Sequence, residues 1–217
     1  MNTRRTRVAA LATLATFASI GATSTSRASV TNALPAAAPE SLLLVMSDTG
    51  NHARYRVREQ LVGVDFPNDA VGKTDALTGM ILVGTDGKVS PQSRFVIDVR
   101  TLKSDKDRRD SYVQSRLLET AKYPSVTLAI TGLNGLHLPL GPSGAVNFTL
   151  RGDLTVKGVT KPTTWNVQAN IHGKDVDGAA STAFTFADFG MTKPHVSIVL
   201  SVEDTIKLEY DFRMIRK

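Results

Sequence analysis

The chain of 217 residues has no cysteine. That absence excludes disulfides, thiol nucleophiles, Cys-ligated zinc and a lipid-modified amino-terminal Cys. The four histidines, His52, His137, His172 and His195, are scattered. None pairs with another at the three- or four-residue spacing that puts two ligands on one helical face, so they read as surface loop residues rather than a metal set, and no cofactor is implied. No glycine-rich phosphate loop is present. Gly141-Pro142-Ser143-Gly144-Ala145 resembles a nucleophile elbow only until its spacing is counted. That turn needs Gly two residues before and two after the serine, and here the second Gly follows at once, as in a hairpin turn. Asn147-Phe148-Thr149 is a glycosylation sequon by composition, but it falls inside an alternating run and reads as chance.

A lasting excess of positive charge is also missing. The formal charge of +6 comes from 26 Lys+Arg against 20 Asp+Glu. Residues 1–28 hold Arg4, Arg5, Arg7 and Arg27 and no acid, so without them the balance is 22 against 20, or +2. A charge that small gives no electrostatic reason to expect nucleic acid. The same 28 residues read as an export signal. Arg4, Arg5 and Arg7 precede the 13-residue apolar stretch Val8 to Ile20, and Ser26-Arg27-Ala28 offers small residues at a cleavage site. A spanning helix needs roughly 20 apolar residues, and this stretch is shorter and interrupted by Thr13, Thr16 and Ser19. Thr-Arg-Arg-Thr-Arg-Val partly matches a twin-arginine signal, which leaves the general and twin-arginine routes both open. The expected organisation is a signal peptide over 1–28, a Pro/Ala-rich lead-in over 29–52 and one domain over 53–217. Within the lead-in, Ser41 to Met46 (SLLLVM) reads as an early strand or a segment packed on the domain. The mature protein is expected in the periplasm or outside the cell.

What is present is period-two alternation, the mark of strands with one dry and one wet face. Tyr55, Val57 and Leu61 oppose Arg54, Arg56, Arg58 and Gln60. Phe95, Ile97 and Val99 share a face, as do Val126, Leu128 and Ile130, then Val146, Phe148 and Leu150, then Trp165, Val167, Ala169 and Ile171. The last run is the clearest, with Ile206, Leu208, Tyr210, Phe212 and Met214 alternating with Lys207, Glu209, Asp211 and Arg213. Turn signals at Asp86-Gly87, Asn134-Gly135, Gly141 to Gly144 and Asp177-Gly178 separate these runs. The reading is a mainly β fold of about eight or nine antiparallel strands, closed into a barrel or stacked as a sandwich. One segment differs. Asp105 to Leu118 carries acids in its first turn and Arg116 near its end, as a helix dipole favours, and Ser104 with Asp107 forms a capping-box pattern. Tyr112, Val113 and Leu117 would line or cap one end of the sheet. The charges of Asp105, Lys106, Asp107, Arg108, Arg109 and Asp110 compensate one another, as at a solvated helix start.

Ser93-Arg94-Phe95-Val96-Ile97-Asp98, Thr101 to Asp105, Arg108-Arg109-Asp110, Lys122-Tyr123-Pro124, the run Gly152 to Pro162 and Asp188-Phe189-Gly190 together resemble the YceI-like family in order and spacing. One departure is at the front, where the strand around Tyr55 to Leu61 lacks the His-Ser pair that many members carry. The resemblance implies an exported, lipocalin-like antiparallel barrel that holds a polyisoprenoid, isoprenoid quinone or other long apolar chain. An eight-stranded barrel either fills itself with side chains or encloses one small ligand. The inward-facing candidates for ligand contact are Tyr55, Val57, Phe95, Ile97, Val99, Tyr112, Leu128, Phe148, Leu150, Trp165, Val167, Phe184, Phe186, Leu208, Tyr210 and Phe212. Arg109, Asp110 or Tyr112 would supply polar contacts at the mouth. Carriage of an apolar long-chain molecule, with transient membrane contact, is the expected role. An enzyme acting on a lipid through Asp107 or Asp110, and a filled barrel that binds no small ligand, are the alternatives.

Overall fold

The computed structural model describes residues 41–217. The expected export signal and the first part of the lead-in lie outside the described residues. From Ser41 on, the alternating runs become strands: β1 Leu42–Met46, β2 His52–Leu61, β3 Asn68–Thr74, β4 Leu77–Val83, β5 Arg94–Asp98, β6 Ser125–Asn134, β7 Ser143–Val156, β8 Val159–His172, β9 Asp175–Thr185 and β10 Val199–Arg216. All neighbours pair antiparallel, in the order β1-β4-β5-β6-β7-β8-β9-β10-β2-β3, and β1 also pairs with β10. That last pairing closes the sheet, so the structure is a barrel and not a sandwich.

Ten strands make a barrel of eight staves because two staves are interrupted. β1 and β2 lie end to end along β10, β1 against its residues 214–216 and β2 against 199–211. β4 and β3 lie end to end along them in turn, from Leu42↔Val83 to Glu59↔Asn68. Buried Asn51 bridges the first interruption. Its Nδ2 donates to the carbonyls of Ser47 (2.8 Å) and Arg213 (3.2 Å), and its Oδ1 accepts from the Arg213 amide (3.1 Å) and the Tyr210 hydroxyl (2.7 Å). One side-chain amide thereby replaces ladder bonds that the break removes. β1 is a stave, so the barrel begins at Leu42, eleven positions before the expected domain boundary at residue 53.

Two local expectations change. Asp177-Gly178 is not a turn. Both residues lie within β9, and the chain reverses instead at Gly173, which has a φ of +64°. Gly178 is there for close approach, since a Cβ would clash with the Gln168 carbonyl oxygen and lie 2.8 Å from Phe212 Cζ. The β7–β8 hairpin turns on Lys157-Gly158, both at positive φ (50° and 75°), the two-residue geometry that matches strand twist.

The helix is also shorter than Asp105 to Leu118. α1 spans Asp107–Tyr112 and continues as a π-helical turn over Val113–Leu117. The capping partner is Asp110 rather than Asp107. Asp110 Oδ1 accepts from the Ser104 amide (2.8 Å) and the Ser104 hydroxyl (2.7 Å), so the chain stays extended through Lys106.

Outside, β10 and β2 carry a ladder of ion pairs. Arg54 Nη1 meets Asp211 at 2.5 Å, Arg56 Nη2 meets Glu209 at 3.1 Å, and Asp69 receives both Arg56 and Arg58 at 3.1 and 3.2 Å. Inside, buried residues of every strand but β3 form one apolar cluster.

Candidate functional site: a barrel filled at one end and hollow at the other

The interior is not uniform. At the end defined by β1, the start of β7 and the end of β10, side chains meet across the barrel and leave a void of only about 50 Å³. Its walls include Leu44, Ile81, Phe95, Phe148, Leu150, Val167, Ile171, Tyr210, Phe212 and Met214. Aromatic rings knit this end together: Phe95 and Tyr210 meet edge to face at 5.5 Å, and Tyr210 and Phe212 are tilted at 5.8 Å. Leu128, Leu154 and Trp165 are buried without lining either void, and the Trp165 indole N–H is satisfied by Thr163 Oγ1 at 3.0 Å.

The other end is a cavity of about 790 Å³, within the 300–1,000 Å³ usual for ligand sites. Along β2 its lining runs from Ala53 to Leu61. At ~3.3 Å per residue and the usual stave tilt, that is about 20 Å of depth. Val57, Ala70, Ile97, Val99, Val126, Val156, Phe184, Phe186, Ile206 and Leu208 make the walls, and Leu102, Val113, Leu117 and Leu118 close one side. That side is where the ladder fails: β3 pairs with β2 but reaches no strand beyond a single bridge, Lys73 to Lys103. The segment 99–118 spans the gap, held in part by Gln114 Nε2 donating to the Leu102 carbonyl at 3.1 Å.

A buried charge intrudes on this apolar wall. Glu59 lies on the inward face of β2 with Tyr55 and Val57, and it is buried. Arg109 of α1 donates to Glu59 Oε1 from Nη2 at 2.5 Å and to Asp105 from Nη1. Burial works against the Arg109 charge, and the two carboxylates more than restore it, holding its pKa above the ordinary arginine value. The pair ties α1 to the stave across the mouth with a charge-assisted bond. Nearby, the Tyr55 and Tyr112 phenols face the cavity and have no hydrogen-bond partner among the described residues. Burial pushes the Tyr55 phenol up to about 12, so at neutral pH it is an uncharged donor.

All the strand candidates named from the sequence face inward, but they divide by height. Tyr55, Val57, Ile97, Val99, Tyr112, Phe184, Phe186 and Leu208 line the large cavity. Phe95, Phe148, Leu150, Val167, Tyr210 and Phe212 belong to the packed end, and Leu128 and Trp165 line neither void. Of the expected polar contacts, Arg109 and Tyr112 are at the mouth, while Asp110 is occupied by Ser104 and Lys103 and lines no part of the cavity. Asp107 is fully exposed. Glu59, Leu102, Met191, Pro194 and Val196 to Val199 line the cavity and were not among the candidates. For Glu59 the signal was in the sequence, as an acid in step with the apolar face of its stave.

Residues 48–214 match the model of a family described as the YceI-like domain. A UPF0312 protein of Pseudomonas putida (strain GB-1) is 32% identical over 111 residues, 47% of this chain and 54% of that protein, so the chain spans about half the length of that relative. A UPF0312 protein of Shewanella denitrificans is 28% identical over 158 residues, 68% of this chain and 75% of the relative. Two solved structures share the fold at 14% identity and a TM-score of 0.58. One is a polyisoprenoid binding domain from Saccharophagus degradans implicated in plant cell wall breakdown, matched over 81% of this chain and 98% of that one. The other is Burkholderia cenocepacia BcnA, matched over 77% and 98%.

Proposed function

Since the chain belongs to the YceI-like family and its barrel is hollow at one end, we propose that it is an exported, non-catalytic carrier that holds one long apolar chain, of polyisoprenoid or isoprenoid-quinone type, in that hollow. The observation that carries the reading is the cavity of about 790 Å³ with mostly aliphatic and aromatic walls, most of its charged residues lying on the segment Asp105 to Arg109. Ten buried methylenes contribute about 8 kcal/mol gross at ~0.8 kcal/mol each, and association costs remove several of those, so a long chain binds usefully without a charged anchor. The free Tyr55 and Tyr112 phenols suit a polar end group of the cargo, with the Arg109 guanidinium close by. Binding rather than turnover is supported by two of the three carboxylates at the mouth. Glu59 and Asp105 are both committed to Arg109, which leaves neither poised as a general base. The Saccharophagus degradans domain of the same fold is a polyisoprenoid binding domain, in keeping with this cargo. Export to the periplasm or beyond rests on the Arg4 to Ala28 pattern.

One preparation tests both parts. The full chain is expressed in a bacterium, recovered from the envelope or culture fluid, weighed by native mass spectrometry and extracted with organic solvent. We expect a mature chain beginning near Ser29 that releases a long-chain isoprenoid, and a Leu208→Trp variant that releases none. A barrel that comes out empty and takes up no polyisoprenoid in solution overturns the carrier reading. Retention of Met1 overturns export.

A further inference from the structure

The exposed large apolar side chains of the described residues are Val62, Val64, Phe66, Ile198 and Leu200, with Phe66 79% and Leu200 65% exposed. They come from two stretches far apart in sequence that the fold brings side by side. Val62, Val64 and Phe66 form the turn between β2 and β3, and Ile198 and Leu200 flank the start of β10. The Val62 amide donates to the Ile198 carbonyl at 3.0 Å, and Leu61 pairs with Val199. The patch sits on the rim of the hollow end, because Leu61, Ile198 and Val199 also line the cavity. The outer wall of β2 and β10 below the rim is by contrast ion-paired.

We infer that this rim, Val62 to Phe66 with Ile198 and Leu200, is a docking surface for a lipid bilayer, which it enters with its apolar side chains so that the cavity opens onto the acyl region. Three features favour a bilayer as occupant. Scattered exposed apolar residues need no explanation, but a contiguous set marks an interaction site. These are five side chains, far fewer than the ~20–30 residues a side of a stable dimer interface, whereas shallow insertion into a headgroup layer needs only a small apolar tip. The patch is continuous with an apolar cavity, so an apolar chain that moves between bilayer and barrel at this rim does not cross water. Charge has a minor part. Exposed Arg108 lines the opening and Lys193 lies beside Pro194, but Asp65 stands between Val64 and Phe66 and Asp107 is at the same opening. The attachment is therefore apolar and insensitive to salt. The direction of cargo exchange rests on the carrier reading above, and the docking itself does not.

The test is flotation of the purified chain with vesicles of phosphatidylethanolamine and phosphatidylglycerol containing no isoprenoid, at low and high salt. Wild type should float at both. Phe66→Ser combined with Leu200→Ser, two exposed changes that leave the core intact, should lower the partition coefficient by about tenfold or more while leaving the circular dichroism spectrum and the extracted isoprenoid unchanged. A wild type that does not float, a double variant that floats equally well, or flotation abolished by high salt each overturns the inference. So does a concentration-dependent dimer, dissolved by the same two substitutions, in place of vesicle binding. A barrel that floats through this rim yet never holds an isoprenoid sinks the carrier reading and leaves the docking surface standing.

Discussion

Two truncations on the same stave measure whether the barrel is really packed at one end and hollow at the other. Phe212 and Leu208 both point inward from β10, four residues apart. Phe212 is 8% exposed, meets Tyr210 at 5.8 Å and borders a void of only about 50 Å³. Phe212→Ala would open a hole among side chains that are fixed by neighbouring strands, and such changes destabilise by ~3–5 kcal/mol. Leu208 faces the cavity of about 790 Å³. Its methyl groups already border empty space, so Leu208→Ala loses part of a transfer term and creates little new void, about 1 kcal/mol. Urea unfolding of the delipidated protein, followed by circular dichroism, reads both values, and equal slopes for the two variants make the midpoints comparable. Equal losses at the two positions would refute the reasoning. They would mean that the hollow end collapses in solution and that no cavity waits for a ligand.

The other predictions concern charge. Arg109→Leu leaves Glu59 buried and unpaired, and should cost ~3–5 kcal/mol in urea unfolding. Adding Glu59→Leu to it should recover most of that loss, and a double variant no more stable than Arg109→Leu would show that the pair is not what fastens α1. The Glu209 carboxyl is held below its ordinary range chiefly by the hydrogen bond from Arg56, with Arg54 assisting. A depressed pKa gives stability that is present above the unfolded value near ~4.3 and lost as pH falls through the folded value. Glu209→Gln should therefore be less stable than wild type by ~0.5–1 kcal/mol at pH 7, and the gap should start to narrow near pH ~4.3 and vanish once the pH is below the folded value. A gap that does not narrow at all as the pH is lowered would assign the effect to packing.

The staves were legible because period-two alternation survives wherever one face is dry, and β10 shows it from Ile206 to Met214 without a break. Closure was not legible in the alternation and came only with the family resemblance, since it depends on β1 finding the last residues of β10, a contact between the two ends of the domain. Alternation separates one face of a stave from the other, but it carries no information about height. Phe212 and Leu208 look equivalent in sequence, and only the register of all eight staves separates the packed layer from the hollow one. Gly178 misled for a related reason. Asp-Gly is good turn chemistry, and the cross-strand crowding by Gln168 and Phe212 that requires a glycine at that point has no local signature. The rim was missed because Val62 to Phe66 and Ile198 to Leu200 are more than 130 positions apart.

The interrupted stave has a consequence for how the barrel yields. Residues 68–72 of β3 are hydrogen-bonded to β2 on one edge and to no strand on the other, so the wall between β3 and β5 is a seam closed by side chains instead of by a ladder. Local opening follows the elements with the fewest backbone bonds, and parting this seam breaks the Lys73–Lys103 bridge, the Arg109–Glu59 pair and the apolar contacts of Leu102, Val113 and Leu117, while every other junction of the barrel must break a run of cross-strand bonds. The barrel therefore yields first along this line, and the segment 99–118 is the brace that holds it shut.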